Sequence, residues 1–442
     1  MMLMLAGLVL ILSAFSAGGK PPPPVERVEI REEGLYVNDE PFFPVGVAWA
    51  AHWHFSLPEA GEKGFNMVDT HGIATDPESF RADVDDAYAN GMYSAVHLGN
   101  EISKNLEQVE QIVLACRDAP GLLVWGLEDE PNGRNPGPAD EGKPHVDMPY
   151  KTPPEEQLPA YELIKRLDPD HPVWINLAYG YESDHRDYRH VADIHSDNTY
   201  PVPNYPLTYV AQFSDSVVKG AGAGADGKLG WMYMQMAPLA GDPGDRPPTM
   251  TEVRCMTYMA VAHGISGVNY FSFHYGGQYE DEKWSWWVNE TSPGYWAQWA
   301  DLTAELRALA PYLVTPETAE PPEVKIIKGP TGVTSVKTDM HAEEHRYGAL
   351  HQSLRQTSSG YFLIAVNGLD EPIKARFTLP LPEGGLAERA AVRFENRLVD
   401  VVEGVLEDSF EPYAVHLYEL PYNVTIDRES IDWPRWQRRV GY

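Results

Sequence analysis

Only two of the 442 residues are cysteine, Cys116 and Cys255. Both lie in segments with helical spacing that fall far apart in the architecture read below, so no disulfide is expected. Two cysteines alone also cannot build a zinc cage. Stability must therefore come from an apolar core, and a composition that is 43% apolar and 11% aromatic can supply one. Basic residues are scarce as well: 34 Lys plus Arg stand against 65 Asp plus Glu, for a formal charge of −31. That deficit argues against nucleic acid or an anionic membrane as the main partner, and it disfavours a polyanionic substrate. Past the first dozen residues no run approaches the roughly 20 apolar residues needed to span a membrane. No G-x-G-x-x-G follows the first strand candidate, and no G-x-S-x-G elbow occurs. Dinucleotide chemistry and that type of serine hydrolase are therefore unsupported.

What is present begins with a leader, "MMLMLAGLVLILSAFSAGGK". It is apolar from Met1 to Leu12 and continues into Ala14-Phe15-Ser16, an A-x-S cleavage pattern, although no Lys or Arg precedes the apolar core. Residues 1–17 read as a secretory signal, so a secreted or periplasmic protein is expected, free of the membrane once cleaved. Residues 18–25 contain "KPPPP" and read as a stiff linker.

From 26 to 315 one pattern repeats: a short apolar strand, a polar or aromatic end, then a helix. The strand candidates are Pro44–Trp49, Phe65–Thr70, Tyr93–Leu98, Leu122–Leu127, Pro172–Leu177, Ala192–Ser196, Leu229–Gln235 and Gly267–Phe273. Asp76-Pro77-Glu78 opens a helix with an N-cap and proline at the first position, and Gly91 and Gly264 close helices. Eight strands alternating with helices imply an α/β fold, a (β/α)8 TIM barrel, whose site lies at the C-terminal strand ends. The polar residues gather there: Trp49, Asp69, His71, His97, Glu128 to Glu130, Asp197 to Tyr200, Gln235 and His274. Short alternating segments from 322 to 420 predict a small C-terminal antiparallel β-sandwich. The tail, 421–442, has no clear period.

The fourth candidate strand reads "LVWGLEDEP" and ends in three carboxylates before Pro131. Here the chain resembles the clan-A glycoside hydrolases, (β/α)8 barrels whose fourth strand typically ends in Asn-Glu-Pro. Asp129-Glu130-Pro131 matches that motif. "GLYVNDEPFFPVGVAW" resembles the hairpin that leads into such barrels, and "DNTYP" resembles the segment that sets a tyrosine near the sugar. The resemblance implies a glycosidase, with Glu130 as general acid/base, Asp129 and Tyr200 on the sugar, and no cofactor or metal. Breaking a glycosidic bond needs a carboxylic acid kept protonated near neutral pH and a second carboxylate as nucleophile or base. Crowded acids raise one another's pKa, which suits that task.

The seventh strand departs from the resemblance. Its end reads "LGWMYMQMAP", with Gln235 where the clan's nucleophilic glutamate is expected, and a neutral amide cannot form a glycosyl ester. Asp197 and Glu252 are candidate replacements, and Asp69 lies on the same face. Glu252 also completes a Thr249-x-x-Glu252 capping box at a helix start. Trp49, Asp69, His71, His97, Gln235, His274 and Trp286 are expected to bind carbohydrate, within a tryptophan-rich rim that includes Trp284, Trp287, Trp296 and Trp299. Gln235 also favours a second class, a catalytically inactive barrel that binds glycans. A metal-dependent hydrolase ranks third: "HAEEH", His341–His345, matches H-x-x-E-H but falls among predicted β-strands, where the two histidines would not share a helix face.

Overall fold

The computed structural model describes residues 20–31, 34–53, 56–70, 74–134, 147–224, 227–239, 246–279, 282–335, 345–382 and 385–422. Eight parallel strands close into a barrel: β1 (Val45–Ala48), β2 (Met67–Asp69), β3 (Tyr93–His97), β4 (Leu122–Asp129), β5 (Val173–Ala178), β6 (Ile194–Thr199), β7 (Leu229–Gln235) and β8 (Val268–Phe271). Each pairs with the next in sequence, and β8 closes on β1 through Asn269 and Gly46. All eight strands overlap the segments expected from the sequence, with β4, β5 and β6 running one to three residues past the expected ends. Most read as largely apolar runs because a parallel barrel buries both faces of every strand, while β6, IHSDNT, is buried but mostly polar. In β4 only Asp129, at the very end, is not fully buried.

The barrel interior is filled mainly by large side chains, among them Met67, Tyr93, Leu123, Trp174, Trp231 and Tyr233. Trp174 lies against both Tyr233 and Trp231, with ring centroids 5.7 and 6.2 Å apart. Indoles of this size fit only beside small residues. A Cβ on Gly126 would come within 3.1 Å of both the Trp174 ring and the His97 backbone, so β4 needs glycine there. Helices around the ring start and stop at the predicted signals. Asp76 accepts the Ser79 N–H at the start of Pro77–Ala89, and Gly264 holds φ +87° just past Met250–Ala262. A three-stranded antiparallel sheet (Val28–Arg31, Gly34–Val37, Glu40–Phe42) covers the N-terminal end of the barrel through Val28, Leu35 and Val37. The opposite end stays open.

The C-terminal part is an eight-stranded antiparallel sheet running from Glu323 to Pro421. Arg397–Val402 is its corner, pairing with Arg389–Val392 on one side and Val405–Phe410 on the other. Leu363, Ala365 and Tyr418 share one core with Ala375, Phe377 and Leu406, so the sheet folds over itself as a sandwich. The outer face of two central strands, through Phe362, Ile364, Val366 and Leu417, joins the barrel's apolar core. Phe362 stacks on Tyr312 of helix Pro293–Leu313 at 4.5 Å. Buried Arg355 donates to the carbonyls of Leu313, Thr315 and Val261, at or just beyond the C-terminal ends of two barrel helices. Val261 O also accepts the Gly264 N–H at 3.1 Å, and a cation suits the negative end of the helix dipole.

Cys116 and Cys255 are both free and buried. Among the described residues no helix is long and apolar enough to cross a membrane. The leader 1–17 and nearly all of the tail lie outside the described residues, as does "HAEEH" except for the backbone of His345, which opens the strand His345–Gly348.

Candidate active site

The three acids that end β4 diverge. Glu128 is fully buried and accepts hydrogen bonds from Thr152 (3.0 Å) and Gln157 (2.8 Å), with Lys104 and Lys151 each 3.3 Å away. It anchors the loop that follows the strand. Asp129 accepts the Asn176 amide at 2.9 Å. Glu130 leaves the strand with φ +53°, the left-handed region, which costs a non-glycine residue roughly 1–3 kcal/mol and persists only where its surroundings enforce it. Its N–H donates to Asn176 O at 3.0 Å, and Pro131 after it disfavours the right-handed helical region. The turn aims the Glu130 carboxyl at Asn198 on β6, whose amide donates to it at 2.5 Å.

Glu130 and Asp129 line a cavity of about 210 Å³ at the open end of the barrel. Asp69, Asn176, Asn198 and Tyr233 contribute further polar groups, while Trp49, Tyr200, Phe271, Tyr275 and Leu239 form apolar walls. Phe271 meets Trp49 edge-on at 4.9 Å and stacks on Tyr200 at 5.7 Å. Burial, reinforced by the Asp129 charge, pushes the Glu130 carboxyl above the usual carboxylate range, and this outweighs the Asn198 bond that favours the anion. The cavity therefore holds one carboxyl poised to carry a proton.

Asp69 ends β2 at the floor of the cavity. The Tyr233 phenol donates to its Oδ2, and His97 Nδ1 lies 3.3 Å from its Oδ1. Burial alone would lower the His97 imidazole, but the Asp69 and Asp129 carboxylates outweigh it and hold the ring above its ordinary range. Burial and the Asp69 charge push the Tyr233 phenol well above its own, so it remains a donor. His97 itself lies beneath the cavity, against Trp174.

Other residues singled out by the sequence fall elsewhere. Asp197 lies on the opposite face of β6 from Asn198. Its carboxylate accepts the Gly180 N–H at 2.7 Å and lies 3.0 Å from His185 Nε2, packed toward the helix Glu182–Asp187. Burial raises that carboxyl well above the usual range and lowers His185 to about 3. Strand alternation is the physical reason: Ser196 and Asn198 face the interior, so Asp197 cannot. Glu252 is the capping-box residue of helix Met250–Ala262. It accepts the Thr249 N–H at 2.7 Å and is clamped by Arg246 at 2.7 and 2.8 Å. Burial raises its carboxyl, but these bonds outweigh burial and leave it below the usual range. Neither acid reaches the cavity.

Gln235 is fully buried, and its amide is committed to the backbone. It accepts the Val202 N–H at 2.9 Å and donates to Val202 O (2.8 Å) and Ala237 O (3.2 Å). It holds two loops together and does not line the cavity. His274 stands outside the cavity against Trp287, with ring centroids 4.1 Å apart, and bonds Ser285. Trp286, Trp296 and Trp299 are buried in the core, so they pack the loop after β8 and the final barrel helix. His71 and the Trp284 side chain lie outside the described residues. Trp49, Asp69, Asp129, Glu130 and Tyr200 are the predicted residues that the structure brings together. Asn176, Tyr233, Phe271 and Tyr275 were not singled out, and Asn198 entered only within the polar run Asp197 to Tyr200. Alternation pointed to two of them: Asn198 shares parity with Tyr200, and Tyr233 precedes Gln235 by two.

The beta-galactosidase family model of glycoside hydrolase type 42 matches residues 157–286. No curated protein matches the chain. A solved structure described as a glycoside hydrolase is 14% identical with a TM-score of 0.55, covering 91% of this chain and 98% of its own. The beta-galactosidase from Bacillus circulans sp. alkalophilus is 9% identical with a TM-score of 0.56, covering 86% and 99%. At these identities the likeness is one of fold. What they share with this chain is a (β/α)8 barrel followed by an antiparallel sheet domain, and the family match itself is confined to residues 157–286.

Proposed function

We propose that the chain hydrolyses O-glycosidic bonds of an oligo- or polysaccharide, with Glu130 as the general acid that becomes the general base. The observation that carries this reading is a carboxyl raised above the usual range, set in a cavity walled by aromatic rings. Sugar rings stack on such faces through their C–H edges, while Asn176, Asn198 and Asp129 offer donors and acceptors for hydroxyls. As the C1–O bond breaks, charge develops on the leaving oxygen, and Glu130 gives it a proton. A β-galactoside is the first substrate to try, because the matching family model and one similar structure carry that name.

The test compares Glu130→Gln with wild type on a glycan that the wild type cleaves. Turnover should fall by about 10²–10⁴-fold, with partial recovery on a nitrophenyl glycoside, whose leaving group needs little protonation. Equal rates would remove Glu130 from the reaction. Gln235 supports a second reading, a glycan-binding barrel without turnover. Saturable carbohydrate binding with no hydrolysis across a glycoside panel would favour it. The apolar leader supports export, and N-terminal sequencing of protein recovered outside the cytoplasm, starting near residue 18, is the check.

A further inference from the structure

If Glu130 supplies the proton, the reaction still needs a group to take the bond at C1. The strand that would carry it under the clan resemblance offers only Gln235, whose amide is tied to Val202 and Ala237. Among the described residues three carboxylates line the cavity: Asp69, Asp129 and Glu130. Asp129 adjoins Glu130 at the same strand end and takes the Asn176 amide, so it shares that wall. Asp69 comes from β2. It accepts from Tyr233 on β7, one interior-facing position before Gln235, and β8 and β1 lie between those strands in the ring. The bond therefore crosses the barrel mouth and draws the Asp69 carboxylate toward the side where the seventh strand lacks its own.

We infer that Asp69 is the nucleophile, a carboxylate moved from the seventh strand to the second and held by Tyr233 and His97; the inference rests on the glycosidase reading above. An Asp69 oxygen bonds to C1 as the glycosidic C1–O bond breaks, and Glu130 protonates the departing oxygen. The sugar is left as an ester on Asp69, and the aglycone leaves as a neutral alcohol. Water then attacks C1 and gives a proton to the Glu130 carboxylate, and Asp69 departs as the anion. Two inversions at C1 give net retention. The Tyr233 bond fixes the Asp69 carboxylate inside the cavity, with Oδ2 held by the phenol and Oδ1 beside His97. Tyr233 and His97 are positioning residues in this scheme.

The test uses the full-length protein and a 2-deoxy-2-fluoro sugar with a dinitrophenyl leaving group, built on the glycone that the wild type hydrolyses. The fluorine slows ester hydrolysis, so the glycosyl adduct accumulates, and peptide mass spectrometry should find it on Asp69. NMR of early product should show the retained anomer. Asp69→Gly should lose on the order of 10³-fold or more in turnover. Azide should restore part of it, giving a glycosyl azide inverted at C1. An adduct on another residue, no adduct, or an inverted product would each overturn the assignment. Because the labelling uses wild type, a folding defect in the variant cannot obscure the result. Wild-type rates in Asp69→Asn beside a loss in Glu130→Gln would overturn the nucleophile alone; wild-type rates in both would also overturn the glycosidase assignment of Glu130.

Discussion

Restoring the clan's glutamate at the end of the seventh strand looks like the obvious repair, and the structure predicts that it fails. Gln235 donates to two carbonyls in a fully buried site. In Gln235→Glu an ionised carboxylate would face both carbonyls with no proton to offer. The introduced acid would therefore stay protonated, its single O–H satisfying one carbonyl and leaving the other unpaired, at about 1–3 kcal/mol. Holding a glutamic acid neutral at pH 7 against an unfolded-state pKa of about 4.3 adds up to ~3.7 kcal/mol. The total is about 5–7 kcal/mol at pH 7. Unfolding entropy near 2.1 cal/mol/K per residue makes 1 kcal/mol worth about 1 °C in a chain of this length, so Tm should fall by about 5–7 °C. The sign with pH follows from a folded-state pKa raised above the unfolded one. The unfolded chain gains by ionising as pH rises past about 4.3, so the Tm deficit is large at pH 7 and shrinks to roughly 1–3 °C at pH 4. Calorimetry of variant and wild type at both pH values, with turnover measured beside it, decides the matter. A variant with wild-type Tm at pH 7, or with increased hydrolysis, would refute the reasoning and identify this position as the missing nucleophile.

Two further outcomes are expected. Asp129→Asn can keep the bond from Asn176 but removes a charge that helps hold the Glu130 carboxyl up. The basic limb of the kcat/KM profile should therefore move to lower pH, and an unmoved limb would separate that limb from Glu130. Glu252→Gln should leave turnover within about twofold and cost up to about 1 kcal/mol, because Gln can still accept the Thr249 N–H and only the Arg246 ion pair, outside the cavity, is lost. Glu252 has a lowered carboxyl, so its contribution is present above an unfolded-state pKa of about 4.3 and disappears as pH falls through the folded one. The Tm gap between wild type and variant should therefore close in acid.

Much of this was legible because a parallel barrel imposes simple demands on sequence. Most strands are apolar along their length and turn polar where they reach the open end, so "LVWGLEDEP" announces both a strand and a site, whereas the buried polar run of β6 follows no such rule. Glu252 was legible as a cap because Thr249-x-x-Glu252 is a local pattern that needs no tertiary knowledge. Asp197 misled because neighbouring positions at a strand end point to opposite faces and composition does not say which. The acidic residue drew attention, and the plain amide beside it faces the cavity. Tyr233 read as one more apolar strand residue, since its role depends on a carboxylate 164 positions away in the chain. Gln235 has the parity of a site residue, but its amide is taken by backbone groups of two loops, a competition that strand patterns do not reveal.

The join between barrel and sandwich bears on whether the two halves can be handled separately. Severing the chain in the connecting stretch after Thr315 would strip an apolar cover from helices Met250–Ala262 and Pro293–Leu313 and take away the guanidinium that occupies the Leu313, Thr315 and Val261 carbonyls. Arg254, on the first of these helices, would lose the Val415 carbonyl to which it donates at 2.9 Å. A barrel expressed alone would carry a sticky flank and carbonyls needing new donors, and would be prone to self-association. Swapping in the terminal domain of a different barrel protein would demand that its sheet carry an arginine in register with those carbonyls. The chain is therefore a poor donor of interchangeable parts, and directed evolution of its cavity should retain the sandwich as part of the scaffold.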